Sequence, residues 1–264
     1  MKNWKNLAQI LLLCICTGAN AGAHEIDAYL AAAQEFEKIT AEKTAQGRMP
    51  RLEDKGVAAL ISTLSDNKRF LNQASYQQGD LLALMDMCKK TNAITMSYAL
   101  FDMKSHVKQG DDQTVIVQQV AKLMGMNILS YQNELEQLHP FLIRCFARSV
   151  PLLSEFTATL KPEEFTEVRR GGIQQARNGI LSIYYGHLQA ISYPELKKSF
   201  KEKSSQALAE AAIPFASMIQ PSTRKQIVDI ATTTQKSTSG EIASNLRKII
   251  DAMSATECTG LCKI

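Results

Sequence analysis

The sequence has few of the features that usually reveal a catalytic or cofactor-binding protein. It contains a single tryptophan, Trp4, four histidines and only 6% aromatic residues. It has no Gly-x-Ser-x-Gly, no glycine-rich phosphate loop and no His-Glu-x-x-His, the motifs of serine hydrolases, nucleotide-binding proteins and zinc proteases. Because it also offers no evident nucleophile or pair of carboxylates, we expect no enzymatic activity and no cofactor.

Long apolar runs and strand patterns are missing as well. Beyond residue 23, no segment approaches the roughly 20 apolar residues of a membrane-spanning helix, so we expect no transmembrane segment in the mature chain. β-Branched runs typical of strands are absent, whereas apolar residues recur every three or four positions throughout. This pattern predicts an all-α protein, a single bundle-like domain of about eight helices over residues 24–264.

The first 23 residues resemble a signal peptide in their order of charge and hydropathy. Lys2 and Lys5 precede a short apolar run, and two small-residue cleavage motifs follow, at residues 19–21 and 21–23. The apolar run is too short to span a bilayer. We therefore expect an exported protein, periplasmic or secreted, whose mature chain begins at Gly22 or His24.

The charge of the expected mature chain is nearly balanced. Loss of two lysines with residues 1–23 leaves 28 basic and 26 acidic residues, a net charge of +2 instead of +4. So small an excess does not favour nucleic acid as a partner.

Four cysteines remain after residue 23: Cys88, Cys145, Cys258 and Cys262. An even number in an exported protein indicates two disulfides, for which three pairings are possible. We predict Cys258–Cys262, which closes a tight loop, and Cys88–Cys145. Buried free thiols at positions 88 and 145 are the competing interpretation.

One helical segment, residues 171–190, is unusually rich in glycine. Small residues recur there at alternating four- and three-residue steps and form one narrow stripe on a helix, beside a bulky stripe that includes Ile180, Tyr184 and Leu188. We name the small stripe the glycine seam: Gly172, Ala176, Gly179, Ile183, Gly186 and Ala190. A helical glycine costs about 0.5–1 kcal/mol relative to alanine. We therefore expect a central helix with a neighbouring helix packed almost against its backbone.

Upstream of that segment, helical spacing of apolar residues continues from Val117 to Leu138 without a break. His139-Pro140 is expected to end this helix, because proline lacks the amide that continues a helix. His139 would then be a cation near a helix C-terminus. Glu136 and His139 also form one Glu-x-x-His, which di-iron bundles use twice, so iron is not favoured.

A possible ligand site lies on the glycine-rich helix itself. Arg177, Tyr184 and His187 fall on its inward-facing arc, where a cation, a phenol and an imidazole can line a pocket for an anionic ligand. The alternative is that Arg177 pairs with a carboxylate such as Glu167 or Glu210, and that His187 is an ordinary core residue.

Copper is a second possible ligand. With cleavage after Ala21, His24 becomes the third residue, and an N-terminal amine, two amides and an imidazole form a square-planar Cu(II) chelate. Two Met-x-Met units, at residues 85–87 and 124–126, add soft sulfur. Methionines two apart on a helix point in different directions, however, and methionine commonly fills core gaps.

These patterns favour an exported helical protein that acts by binding a protein or a cell-envelope component. The glycine seam can receive a partner's helix as well as a helix of the same chain. A periplasmic copper-binding protein is the second hypothesis. A helical enzyme or anionic-ligand binder with a pocket formed by Arg177, Tyr184 and His187 is the third.

Overall fold

Helical periodicity determines the secondary structure of every part of the chain that can be described. The computed structural model describes residues 21–71, 76–106 and 112–264, and these ranges contain no strand. The helices are α1 (Ala21–Ala45), α2 (Val57–Leu64), α3 (Asn67–Phe70), α4 (Leu81–Ala99), α5 (Met103–His106), α6 (Gln113–Ser130), α7 (Gln132–Thr159), α8 (Glu167–Ala190), α9 (Lys198–Met218), α10 (Pro221–Lys236) and α11 (Gly240–Ala255). Single 3₁₀ turns span Gln78–Asp80, Pro162–Glu164 and Gly260–Lys263.

The two helices at the centre of the molecule are α7 and α9. They pack against each other most extensively, with α4 on the other side of α7 and α11 on the other side of α9. Helix α1 covers α4, and α10 covers α11. The helices thus form a single compact helical domain, and the predicted all-α class is confirmed.

Helix α8, which carries the glycine seam, is not the central helix that the sequence predicts. It lies at the side of the domain, where it contacts α9 and, less extensively, α7 and α10. Its buried side chains come from the bulky stripe, including Ile180, Tyr184 and Leu188. The Tyr184 ring packs against Phe215 of α9, with ring centroids 4.9 Å apart.

The prediction that His139-Pro140 ends a helix is also wrong. Both Pro140 and Pro151 lie inside α7, which continues through them. The chain breaks earlier, at Tyr131, which separates α6 from α7 and has non-helical dihedral angles. The Tyr131 hydroxyl accepts a hydrogen bond from the Met49 amide at 3.2 Å, so this break is fixed by a contact from the segment after α1.

Both predicted disulfides are present. Cys88 of α4 and Cys145 of α7 are fully buried and joined at an S–S distance of 2.03 Å. Cys258 and Cys262 close a short loop after α11. The alternative of free thiols at positions 88 and 145 is therefore wrong, and the cysteine pairs suit an extracellular or otherwise oxidising compartment.

The described helices include none that is both long and apolar enough to cross a membrane. Most of the predicted signal peptide, residues 1–20, lies outside the described residues. The first described helix, α1, begins at Ala21 and buries Ile26, Tyr29 and Phe36 in the core. Either predicted cleavage site would leave these three anchoring side chains in the mature chain.

Candidate functional site

The three glycines of the glycine seam face away from the neighbouring helices. Gly179 and Gly186 are exposed, and Gly172 is half-buried. A Cβ atom added to any of these three glycines would have no heavy atom of another element within 4 Å. The predicted helix packed against this backbone is therefore absent from the described part of the chain.

The other members of the glycine seam are less exposed than Gly179 and Gly186. Ala176 and Ile183 are half-buried, and Ala190, at the C-terminal end, is buried. The adjacent bulky stripe contacts α9 and determines which side of α8 faces the core. The spacing correctly predicts the two stripes. The bulky stripe, however, contributes most of the apolar surface that α8 buries.

The open face of α8 is nearly without charge. Exposed side chains beside the glycine seam are amides and a hydroxyl: Gln175, Asn178, Ser182 and Gln189. Between residues 171 and 190, Arg177 is the one permanently charged residue. The result is a neutral strip of exposed helix backbone with polar side chains along one edge and the bulky stripe along the other.

The predicted ligand residues do not meet in one pocket. Arg177 donates a hydrogen bond from Nη1 to the Leu261 carbonyl at 3.3 Å. Tyr184 is fully buried and donates from its hydroxyl to the Leu208 carbonyl at 3.1 Å, and burial raises the pKa of this phenol. A small cleft of about 50 Å³ beside Arg177 is lined by neither Tyr184 nor His187.

His187 instead contacts His139 of α7. The ring centroids are 4.3 Å apart, with the planes at 73°. His187 Nδ1 lies 2.6 Å from the Ile183 carbonyl, which can only accept, so Nδ1 carries the proton. The His187 Nε2 and His139 Nδ1 atoms are both buried without a hydrogen-bond partner.

Burial of the ring atoms favours the neutral form of both histidines. It holds the pKa of His139 well below its usual range, and the repulsion that would arise if both rings were protonated lowers this pKa further. Burial likewise lowers the pKa of His187, against the opposing effect of its bond to the Ile183 carbonyl. The prediction of His139 as a cation at a helix C-terminus is therefore wrong. The two residues lie 48 positions apart, and no sequence spacing indicates their contact.

The Glu-x-x-His unit does not act as a ligand pair in this structure. Glu136 accepts hydrogen bonds from Lys203 at 2.6 Å and from Ser199 at 3.1 Å, both on α9. His139, one turn later, faces His187 and the Phe200 ring. Within residues 21–71, 76–106 and 112–264, no group of three His, Cys, Asp or Glu residues is placed to hold a metal ion.

A polar cleft of about 230 Å³ lies beside Glu136, where α3, α7 and α9 meet. Charged side chains of both signs line it, namely Glu136, Arg144 and Lys203. The Asn67 Oδ1 atom at this cleft is buried without a hydrogen-bond partner. Sequence reasoning missed this cleft because its residues come from three separate helices.

A second polar cluster, also missed from the sequence, fixes the segment between α1 and α2. Glu134, 1% exposed, accepts a hydrogen bond from the Leu52 amide at 3.0 Å. Arg51 lies 3.7 Å from its other carboxylate oxygen and places its guanidinium 4.0 Å from the centre of the Tyr131 ring. These contacts attach residues 49–52 to the start of α7, so the cluster has a structural role.

The residues of the copper hypothesis are not brought together by the fold. Met87 is fully buried in the core, whereas Met126 is 51% exposed on α6. The side chain of His24 lies outside the described residues, so the N-terminal chelate stays a prediction.

Over the three glycines of the glycine seam, the described part of the fold places no neighbouring element. The histidine pair, Arg177 and Tyr184 all have contacts within the chain, and these contacts explain their positions. Compared with protein-family models, with curated proteins and with solved structures, the chain matches none.

Proposed function

We propose that this protein is an exported, non-enzymatic binding protein that receives a helix of a protein or cell-envelope partner along the glycine seam of α8. The observation that carries the proposal is the open space over Gly172, Gly179 and Gly186. Three glycines within one helix destabilise it by roughly 0.5–1 kcal/mol each relative to alanine. The domain obtains no packing in return, whereas a partner helix can approach this backbone closely.

The chemistry of the open face suits a helix of another protein better than a charged ligand. Amide and hydroxyl side chains along one side of the glycine seam can hydrogen-bond to a partner without the desolvation penalty of a charge. Close contact between helix backbones needs small residues on at least one of them, and α8 presents them at two-turn intervals.

Crosslinking in the native host tests this function. A photoreactive amino acid at Ser182, which lies between Gly179 and Gly186 on the exposed face, should give a discrete adduct with another protein. The same residue at Lys225 of α10, whose side chain is 76% exposed, is the matched control and should give none.

A Gly179→Leu variant shows whether the crosslinked protein is bound along the glycine seam. Gly179→Leu adds a bulky side chain to the seam at a position where the Cβ atom meets no heavy atom of another element within 4 Å, so the protein should fold while the Ser182 adduct is lost. An adduct that persists with leucine at position 179, or that forms equally well from position 225, would contradict binding along the glycine seam.

We also infer that residues 1–23 are a cleaved signal peptide. Two disulfides support an oxidising destination, and the order of charge, apolar run and small residues supports cleavage. Intact mass spectrometry of the protein from the periplasmic or culture fraction should give a chain that begins at Gly22 or His24. A full-length chain in that fraction would contradict the inference.

A further inference from the structure

Arg224 of α10 is a buried arginine without an acidic partner. It is 5% exposed, and it donates from Nε to the Ile219 carbonyl at 3.0 Å and from Nη1 to the Thr256 carbonyl. Its third partner is the Sγ atom of Cys262, 3.9 Å from Nη2. In the part of the chain that the structure describes, no carboxylate forms an ion pair with it, which is unusual because a buried charge normally has a counter-charge.

The sulfur beside Arg224 becomes anionic when its disulfide is reduced. Cys262 is fully buried, whereas its partner Cys258 is partly exposed. The Ile219 carbonyl oxygen also lies 3.2 Å from the Cys262 sulfur. A thiolate at Cys262 would pair with the guanidinium, and a thiol there would donate to the carbonyl. The fold therefore holds partners ready for both reduced forms of Cys262.

We propose that Cys258–Cys262 is a thiol–disulfide exchange site whose reaction partner is a dithiol, such as a two-cysteine reductase. A thiolate of the dithiol attacks the sulfur of the partly exposed Cys258 and forms a mixed disulfide, and the Cys262 sulfur leaves as a thiolate beside Arg224. The second thiol of the partner then loses its proton and attacks the mixed disulfide, which releases Cys258 as a thiolate that takes up that proton. Two electrons pass to the protein, and the partner becomes a disulfide.

Exchange at this site does not require the domain to open. The loop closed by Cys258 and Cys262 is short, and side chains of α8 hold both the end of this loop and the chain terminus after it. Arg177 donates to the Leu261 carbonyl, and Gln174 donates to the Ile264 carbonyl at 3.0 Å. The second disulfide contrasts with it, because Cys88 and Cys145 are both fully buried between α4 and α7.

Stepwise reduction of the folded protein with dithiothreitol tests the proposal. After quenching with iodoacetamide, peptide mass mapping should find Cys258 and Cys262 alkylated at reductant concentrations that leave Cys88–Cys145 intact. Arg224→Met, which removes the charge and keeps an apolar chain, should slow this reduction about tenfold, because the leaving thiolate loses its counter-charge. Arg224→Lys retains a positive charge and should restore most of the rate.

A measurement on the unaltered protein keeps the test decisive if Arg224→Met fails to fold. The equilibrium constant for reduction of Cys258–Cys262 by dithiothreitol should be at least about tenfold larger in the folded protein than in 8 M urea, where Arg224 is no longer beside the sulfur. Equal constants in the two states would overturn the proposal. Reduction of Cys88–Cys145 before Cys258–Cys262, or an unchanged rate in a folded Arg224→Met protein, would also overturn it.

Discussion

Replacing Gly179 with alanine should make this protein more stable. The site is exposed in the middle of α8, and the added Cβ would meet no heavy atom of another element within 4 Å. Alanine restricts the unfolded chain and suits the helix, which stabilises by about 0.5–1 kcal/mol. The sequence-based expectation of a packed helix predicts the opposite sign, a loss of about 1–3 kcal/mol from overpacking.

Urea unfolding followed by circular dichroism distinguishes these outcomes, because the two expectations differ in sign. For a domain of this size each kcal/mol shifts Tm by about 2–4 °C, so a thermal melt gives a second measure. Gly186→Ala should add a similar increment, since the site lies two turns away and shares no contact with Gly179.

Gly56→Ala is the matched control, an identical change at another exposed glycine. Gly56 precedes α2 with φ of 82°, a left-handed conformation that costs alanine about 1–2 kcal/mol. Gly56→Ala should therefore destabilise the protein, although a Cβ atom at this position also has open space around it. A destabilising Gly179→Ala would refute the open seam and show that another element packs against this face.

Three further predictions concern the histidine pair, the disulfides and copper. Because burial lowers the pKa of His139 and His187, the folded protein binds fewer protons than the unfolded chain at acidic pH. The free energy of unfolding should therefore be highest above the unfolded pKa of about 6.5 and should fall as the pH drops below it. Urea unfolding at pH 7.5 and pH 5.0 should show this loss, and His139→Phe should reduce it, whereas a change at His106, whose side chain is 48% exposed, should not. Replacing Cys88 and Cys145, which are 57 residues apart, with alanine should lower the unfolding free energy by about 4 kcal/mol. Reduction of Cys258–Cys262 should not lower it, because the exchange proposal makes the reduced pair more favourable in the folded protein than in the unfolded chain; a loss of about 2 kcal/mol on that reduction would contradict the proposal. If the mature N-terminus chelates copper, the purified mature protein should bind one Cu(II) ion and show a visible absorption band that disappears in His24→Ala. Equal binding by the variant would contradict a copper site at the N-terminus.

Local sequence patterns predicted the features of this protein that depend on local physics. Helical spacing predicted the all-α class. An even number of cysteines in a chain expected to be exported, with one pair spaced for a tight loop, predicted both disulfides. Each of these inferences depends on residues within a few turns of one another, or on the chemistry of a compartment.

The predictions from the sequence were wrong where the structure depends on which of two adjacent helix faces packs against another helix. On α8, Gly179 and Ile180 belong to adjacent stripes, and spacing cannot show that only the stripe of Ile180 faces α9. The end of the helix before α7 was misplaced for a similar reason. A tertiary contact between Tyr131 and Met49 fixes the break there, while buried packing carries α7 through Pro140.

Long-range pairs of polar residues were likewise invisible in the sequence. His139 and His187 contact each other across two helices, and Arg224 lies beside a sulfur 38 residues away. Each residue has an ordinary neighbourhood in the sequence, and only the packing of α7, α8 and α10 gives it an unusual environment.

The order of the disulfides along the chain has a consequence for how the protein matures. The first of the four cysteines after residue 23 pairs with the second, and the third pairs with the fourth. For a chain that enters an oxidising compartment N-terminus first, Cys88 and Cys145 arrive before Cys258 and Cys262. An oxidant that joins cysteines in their order of arrival would then produce the native pairs directly, without a disulfide isomerase.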